Sequence, residues 1–371
     1  MKNPNGHEII QLFEQFSPKG LAMEGDKIGL QIGRLNKKIN RIMIALDVLE
    51  NVIDEAIEKN VQLIIAHHPP IFRPLKNIIT DTVQGRMIEK LLKHDITVYA
   101  AHTNLDVAKG GVNDLLAAAL GLENTEVLVP TFDTKLKKIV VFVPVSHAEQ
   151  LRKVLGNVGA GFIGNYSHCS FSANGTGRFM PGDNTNPYIG HPGQLEAVDE
   201  VRIETIVPET MLKRAITAML KAHPYEEVAY DVYPLENKGE TLGLGRIGTV
   251  NEMTLGEFAE KVKSSLDVDK VRVVGNLGDK VKKVAVLGGD GNKYFTHAKF
   301  RGADVYVTGD IYYHTAHDAL MQGLNMIDPG HNVEKVMKKG LSEILQKMCK
   351  ESGFEVEIFP SEENTNPFQF I

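Results

Sequence analysis

Both ends of the chain alternate short apolar runs with segments in which apolar residues recur at helical spacing. The first helix is predicted over residues 8–16, where Ile9, Ile10 and Phe13 share one face. The pattern then predicts strands at 39–46, 61–65 and 96–101, and helices at about 50–60, 81–94 and 111–120. Strands and helices that alternate in this way favour a mostly parallel sheet with right-handed crossovers.

The middle of the chain has a different pattern. Strands are predicted at 137–143, 201–207 and 228–232, and helices at 147–158 and 209–222. Residues 159–193 contain few large aliphatic side chains and many glycine, asparagine and serine turn signals. Two strand–helix–strand passages with hairpin material between them predict an inserted, ferredoxin-like α+β domain.

After about residue 245 the first pattern returns. Strands are predicted at 281–287, 303–308 and 325–328, and helices at 254–265, at 292–301, near His314 and from about His331 to Lys350. The predicted fold class is therefore α/β, a three-layer domain interrupted by the inserted α+β domain. Residues 1–130 and 245–371 form the discontinuous α/β domain in this prediction, and residues 131–244 form the insert.

Composition and charge exclude several classes of protein. The chain has 371 residues, 43% of them hydrophobic and 24% charged, as in an ordinary globular protein of roughly two or three domains. Its net charge of -6, without a basic stripe interleaved with aromatic residues, disfavours a partner that is nucleic acid or an anionic membrane. No apolar run approaches the ~20 residues that cross a bilayer. With only two distant cysteines, Cys169 and Cys349, the simplest expectation is a cytosolic protein with reduced thiols.

A pair of histidines follows the apolar run at 61–65, in Ala66-His67-His68-Pro69-Pro70. The prolines prevent continuation of a strand or a helix, so the histidines lie at a strand end or in the loop after it. Open α/β sheets bind their ligands at the carboxyl ends of the strands. A lone histidine is more often a hydrogen-bonded core residue, but this adjacent pair favours a metal or catalytic site.

Further histidines and aspartates follow other predicted strands: His102, His314 and His331, with Asp47, Asp106 and Asp310. We expect these groups to meet at one edge of a sheet. His331 and Glu334 are three residues apart at a helix start, so both can face one ion. Histidine and carboxylate ligands suit divalent ions such as Zn, Mn, Fe or Ni without selecting among them, and bridging carboxylates favour a site with two ions.

Three weaker motifs have alternative interpretations. Gly288-Gly289-Asp290-Gly291 follows a predicted strand, and either cradles an anion with its backbone N–H groups or forms a tight turn. His168-Cys169 has no second thiol nearby and is interpreted as structural. His223-Pro224-Tyr225-Glu226 suits a ligand site or a turn that leads into a strand equally well.

Taken together, the motifs resemble those of the Nif-three-like proteins, also catalogued as GTP cyclohydrolase I type 2 homologues. The matching motifs occur in the family's order: Ile28-Gly29-Leu30-Gln31-Ile32-Gly33, Ala66-His67-His68-Pro69-Pro70, His102-Thr103-Asn104-Leu105-Asp106, Asp310-Ile311-Tyr312-Tyr313-His314 and Asp328-Pro329-Gly330-His331. The insert is similar to that of the longer bacterial members, whose fold is like that of the PII and CutA proteins.

The resemblance implies two divalent metal ions per subunit within a toroidal homohexamer. The implied metal ligands are His67, His68, Asp106, His331 and Glu334, with His102 and His314 nearby as candidate catalytic residues. Many relatives separate the last histidine and glutamate by four positions, whereas the spacing here is three. The chain also has Glu24-Gly25-Asp26-Lys27 where relatives often have a Trp-Asp-Asn run.

The function expected from these features is a two-metal-dependent hydrolase of a small, nucleotide-like substrate, similar to a GTP cyclohydrolase type 2. His102 or His314 would be the general acid or base, since an imidazole titrates in the useful range. If the substrate is GTP, the attack would open its imidazole ring at C8. The alternative is a metal-binding regulatory or scaffold protein whose insert senses a ligand without turnover.

Overall fold

The computed structural model describes residues 2–369 and 371, and the chain forms two compact units. The first unit runs to Phe132 and resumes at Leu242, and the second unit is Asp133–Thr241. The sequence pattern predicts these boundaries at 130/131 and 244/245. Within the described residues, no helix has both the length and the apolar composition that a membrane span requires.

The strands and helices are numbered in chain order. The strands are β1 Gly29–Ile32, β2 Arg41–Ala45, β3 Leu63–Ala66, β4 Thr97–Ala100, β5 Glu123–Pro144, β6 Phe171–Phe179, β7 Glu196–Pro208, β8 Tyr230–Thr254, β9 Arg272–Val274, β10 Lys280–Asp290, β11 Val305–Gly309, β12 Asn325–Asp328 and β13 Glu357–Pro360. The helices are α1 Gly6–Phe16, α2 Glu50–Glu58, α3 Val83–Lys93, α4 Thr103–Val107, α5 Val112–Ala119, α6 Ala148–Asn157, α7 Leu212–Ala222, α8 Leu255–Leu266, α9 Phe295–Phe300, α10 Tyr313–Met321 and α11 Val336–Glu351. The sequence pattern does not predict the short strands β1, β9 and β13.

One sheet of the first unit has the strand order β1-β4-β3-β2-β13. All its neighbouring strands are parallel except β1, which is antiparallel to β4. Helices α2 and α3 pack on one face, and α1, α5 and α11 pack on the other. Burial on both faces explains why β3 is an uninterrupted apolar run rather than an alternating one.

The other sheet of the first unit has the order β8-β10-β11-β12-β9, with parallel strands in its centre and antiparallel strands at its edges. Helices α5, α8 and α11 share one core with both sheets. The α/β class is therefore confirmed, but the expectation that the histidines and aspartates follow strands of one sheet is wrong. Apolar periodicity identifies buried strands but does not say which strands pair, because pairing joins residues that are distant in sequence.

The second unit contains the antiparallel strands β6, β7 and β5, in that order. Side chains such as Val201 and Ile203 on β7 pack against α6 and α7, and the alternate residues Glu200 and Arg202 point to the opposite face. Strand β6 lies within residues 159–193, where the sequence pattern predicts turns and hairpin material without locating a strand, because an edge strand rich in glycine and polar residues lacks apolar alternation. The likeness of this unit to PII and CutA stays a prediction.

Candidate metal centre

Two neighbouring strands of the first sheet end in side chains that can bind a metal. Strand β3 is followed directly by His67 and His68, and β4 is followed by Ala101 and His102. His102 immediately precedes α4, which carries Asp106 in its first turn. Since β3 and β4 are parallel neighbours, their carboxyl ends bring these groups to the same edge of the sheet.

The second sheet contributes the other two predicted ligands. Strand β12 ends at Asp328, and the chain then enters the 3₁₀ helix His331–Lys335, which precedes α11. The α-helix predicted from His331 thus begins at Val336. Because a 3₁₀ helix has about 3 residues per turn, residues three apart lie directly above one another. His331 and Glu334 can therefore face the same point with a spacing of three.

The side chains from the two sheets converge in one cluster, which we call the histidine–carboxylate cluster. It consists of three overlapping groups whose possible ligand atoms lie within 4.8 Å of one another: His67, His68 and His102; His68, His331 and Glu334; and His67, Asp106 and Glu334. The five predicted metal ligands and His102 are thus brought together, although they come from strand ends of two sheets.

Glu334 links the groups and is only 3% exposed. Its Oε2 atom lies 3.1 Å from His68 Nε2 and 3.3 Å from His331 Nε2. Its Oε1 atom lies 3.7 Å from His67 Nε2. The two carboxylate oxygens therefore face different histidines.

Four imidazoles of the cluster are oriented in the same way, through Nδ1. The Nδ1 acceptors are the Ala101 carbonyl for His67 at 2.9 Å, Asp47 for His68 at 2.7 Å, Asp26 for His102 at 2.8 Å and Asp310 for His331 at 2.6 Å. Because carbonyl and carboxylate oxygens only accept hydrogen bonds, each Nδ1 donates, and Nε2 is directed into the cluster. Proteins orient metal-binding histidines with acceptors of this kind.

Two buried atoms of the cluster have no hydrogen-bond partner in the described structure, His67 Nε2 and Asp106 Oδ1. They lie 3.6 Å apart. Buried polar atoms are nearly always paired, and an unpaired one costs about 1–3 kcal/mol. A divalent cation accepts electron pairs from imidazole nitrogen and carboxylate oxygen at once. The residues present therefore fit a divalent metal ion.

The charged groups of the cluster interact strongly with one another. Burial disfavours a charged imidazole, but hydrogen bonds to Asp47 and Glu334 outweigh this effect and raise the pKa of His68 to about 10. The hydrogen bond to Glu334 is the main reason that the pKa of His331 rises to about 9. Burial raises the pKa of Asp106 to about 6. The carboxylates thus hold protons on the imidazoles, and a divalent cation would compete for the same positions.

The Gly288-Gly289-Asp290-Gly291 motif, whose first three residues are the irregular end of β10, makes room for the cluster. A Cβ atom on Gly289, where φ is +61°, would lie 2.8 Å from Glu334 Oε1 and 3.3 Å from His331 Nε2. The backbone N–H groups of Gly288 and Gly291 donate to the Asn113 and Thr308 side chains at 3.0 and 2.9 Å. These contacts leave neither amide available for an anion, and the structure places Gly288, Gly289 and Asp290 at the end of β10 rather than in a tight turn.

His314 is not brought into the histidine–carboxylate cluster. Helix α10 begins at Tyr313 and leaves His314 exposed, with its ring centroid 5.4 Å from that of Tyr313. Conversely, sequence reasoning does not identify the supporting roles of Asp26 and Thr365. Asp26 also accepts a hydrogen bond from the Thr103 backbone N–H, and the Thr365 hydroxyl donates to Asp47. Thr365 and Asp47 are 318 residues apart in sequence, so no local pattern connects them.

The two histidine motifs of the second unit form local hydrogen bonds. The Nε2 atom of His168 lies 3.2 Å from the Oδ1 atom of Asn157. His223 is buried, and its Nε2 atom donates to the Phe142 carbonyl at 2.9 Å. The Tyr225 backbone N–H donates to His223 Nδ1 at 3.1 Å. Both ring nitrogens of His223 are thus used to hold the turn before β8.

Comparisons with known proteins agree with the motifs. The family model for Duf34/NIF3 (NGG1p interacting factor 3) matches residues 4–367. A Bacillus subtilis protein named GTP cyclohydrolase 1 type 2 homolog is 64% identical over 371 residues, which is 100% of both chains. A protein of the same name from Halalkalibacterium halodurans is 61% identical over 372 aligned residues and also covers 100% of both chains.

Among solved structures, the Bacillus cereus protein related to NIF3 is 65% identical, with a TM-score of 0.95 over 100% of both chains. The resemblance predicted from the motifs is thereby confirmed. The chain belongs to the Duf34/NIF3 family.

Proposed function

We propose that the chain is a two-metal-dependent hydrolase that acts on a small, nucleotide-like substrate. The observation that carries the proposal is the pair of buried, unpartnered donor atoms within overlapping groups of ligands. In this proposal His67, Asp106 and Glu334 hold one divalent ion. His68, His331 and Glu334 hold the other, so that Glu334 serves both ions.

Bound divalent ions would lower the pKa of water and polarise the bond to be cleaved. The protein supplies a preorganised set of donors, because hydrogen bonds at Nδ1 already fix the imidazoles. His102 lies beside the proposed ligands, with its ring centroid 5.2 Å from that of His67 and 5.8 Å from that of His68. Asp26 holds its Nδ1, so Nε2 is the atom that takes up and delivers the proton during hydrolysis.

The proposed substrate class rests on the names of the relatives, which are called GTP cyclohydrolase 1 type 2 homologs. GTP is therefore the first substrate to test, with opening of the imidazole ring at C8 as the expected reaction. Zn, Mn, Fe and Ni are all compatible with the donors of the cluster. A toroidal homohexamer is part of the proposal through the family resemblance, and sedimentation velocity would test it.

The experiment loads the protein with each metal in turn and incubates it with GTP, other nucleotides and phosphoesters, with products separated by chromatography. We expect turnover that disappears in His67→Ala and Asp106→Ala. The matched control is His314→Ala, which removes an exposed histidine outside the cluster and should retain turnover.

Turnover that survives both ligand variants would contradict the proposal. Two bound ions without turnover on any substrate would favour the alternative of a metal-binding regulatory protein. Elemental analysis that finds no divalent metal in protein purified without chelator would contradict the metal centre itself.

A further inference from the structure

A second unusual site lies entirely within Asp133–Thr241. The sheet face opposite α6 and α7 lines a cavity of about 690 Å³. This volume is within the range of about 300–1,000 Å³ that is usual for small-molecule sites. Phe142 of β5, Glu200 and Arg202 of β7, and residues of β6 form its base, and segments around Tyr188 and Tyr225 form its walls.

Small residues on β6 create the space above the sheet. Ala173 and Gly175 pair with Arg202 and Glu200, so paired residues point to the same face. Gly177 follows at the next alternate position, where a Cβ atom would lie 2.2 Å from Glu200 Oε2. Only glycine at this position lets the Glu200 carboxylate lie where it does.

The Glu200 carboxylate has no cationic partner. Glu200 is 8% exposed, and within the described residues no lysine or arginine side chain forms an ion pair with it. The nearby Arg202 is paired with Glu204, at 2.9 Å. A buried carboxylate without a counter-charge is destabilising, so a positive charge supplied from outside would be strongly favoured at this point.

Aromatic rings surround the space next to this carboxylate. The ring centroids of Phe179 and Tyr188 lie 5.8 and 6.3 Å from that of Tyr225. The Tyr225 hydroxyl is buried next to Glu200, and burial together with this carboxylate raises the pKa of Tyr225. Aromatic faces attract cations whose charge is carried on an apolar body, as in substituted ammonium groups.

We propose that this cavity binds a small organic cation, a protonated or quaternary amine, with its charge at Glu200 and its carbon atoms against Tyr188, Phe179 and Tyr225. A divalent metal ion is disfavoured, because the other carboxylates of the lining, Glu226 and Glu227, are exposed, and none of the three belongs to a group of possible metal ligands within the described residues. An anion is disfavoured beside Glu200 by the carboxylate itself, and of the two arginines that line the cavity, Arg202 is paired with Glu204 and Arg178 is exposed. The site is independent of the proposed hydrolase function.

The test uses isothermal titration calorimetry on the full chain. Choline, putrescine and agmatine are the cationic probes, and 3,3-dimethylbutan-1-ol, the neutral carbon isostere of choline, is the matched control. We expect at least one of the three cations to bind. If choline binds, its neutral isostere should bind at least about tenfold more weakly. Absence of binding by all three cations at millimolar concentration would overturn the proposal.

Two substitutions locate the bound cation. Glu200→Gln removes the charge with little change in shape, and we expect affinity to fall about tenfold or more, as for loss of a desolvated charge pair. Glu227→Gln, which removes a carboxylate from an exposed part of the cavity lining, should change affinity much less. Equal binding by wild type and Glu200→Gln would overturn the proposal.

A third substitution protects the test against misfolding of Glu200→Gln. The Tyr188 side chain is 54% exposed, so Tyr188→Leu removes a ring of the wall with little risk to the core. We expect it to weaken cation binding by about twofold to thirtyfold, the usual range of a cation–π contact. Self-association that the Tyr188→Leu variant abolishes, without binding of any amine, would instead assign this face to a second copy of the chain.

Discussion

Both units bury a carboxylate that is not balanced by lysine or arginine, but they surround it with different groups. In the first unit, imidazole nitrogens face Glu334 from three sides, and the hydrogen bonds at Nδ1 keep those rings in place. In the second unit, aromatic rings and the Tyr225 hydroxyl lie next to Glu200. The first arrangement suits a compact divalent ion, and the second suits an organic cation.

The difference shows that a buried negative charge does not by itself identify a ligand. The number and type of atoms around the charge decide between an inorganic and an organic cation, because a metal ion needs several lone pairs directed at one point. This contrast can be tested by substituting a residue of one site and measuring the affinity for both the metal ion and the organic cation.

The largest loss of metal affinity is expected from Glu334→Gln. It removes the carboxylate that belongs to two of the three ligand groups, so both ions should be lost. Substitution of a residue that only supports a metal ligand typically lowers metal affinity about 10–100-fold. The loss of metal affinity in Glu334→Gln should be larger than this. Elemental analysis after dialysis against a weak chelator measures the metal content. Glu200→Gln is the matched control: it should keep both ions, and metal loss in this control would break the contrast between the two sites.

A somewhat smaller effect is expected from Gly289→Ala. The new Cβ atom would lie 2.8 Å from Glu334 Oε1 and displace this ligand, so metal affinity should fall about tenfold to a hundredfold. Gly302→Ala is the matched control, because its φ of +75° imposes a similar backbone strain while nothing lies within 4 Å of the new Cβ. Both variants should lose thermal stability to a similar degree, and only Gly289→Ala should lose metal affinity in competition with a chelator. Equal metal affinities would show that Glu334 is not held as tightly as the structure indicates.

The sequence predicts the residues of the histidine–carboxylate cluster better than their arrangement. His67 and His68 follow an apolar run and precede two prolines, so their place at a strand end is a local property. That they meet His331 and Glu334 across two sheets is not local, because the pairing of β10, β11 and β12 depends on residues far apart in sequence. The 3₁₀ turn that makes a spacing of three suitable is also visible only in the structure.

The second site could not be predicted in the same way. Glu200, Arg202 and Glu204 alternate with apolar residues on β7, a pattern that is typical of a solvent-exposed strand face. Burial of Glu200 results from Gly177 on the neighbouring strand and from the segment around Tyr188, and neither is related to β7 by a local pattern. Similarly, the hydrogen bond from Thr365 to Asp47 depends on where the end of the chain packs.

A third and weaker effect should follow from Thr365→Val, which tests whether the ligands of the first site are oriented in advance. The valine cannot donate to Asp47, so Asp47 should hold His68 less firmly, and metal affinity should fall up to about tenfold. Thr365→Ser restores the hydroxyl and should recover most of the lost affinity. A chelator competition titration compares the three proteins. Loss of affinity in both variants alike would mean that the threonine methyl group, and not the hydrogen bond, is responsible.

The smallest effect is expected from substitution of His223, and it concerns the stability of the fold. The pKa of His223 is shifted in the direction opposite to that of His68 and His331. Burial lowers the pKa of His223, whereas nearby carboxylates raise the pKa of His68 and His331. As pH falls through the ordinary histidine pKa of about 6.5, the unfolded chain therefore binds a proton that the folded chain resists, and this contribution to stability is lost. Urea unfolding followed by circular dichroism at pH 7, 6 and 5, with a chelator present, should show a weaker loss of stability in His223→Asn than in the wild type. The same loss in both proteins would mean that His223 accepts a proton in the folded state as readily as in the unfolded chain, and the contrast between the histidines of the two units would then fail.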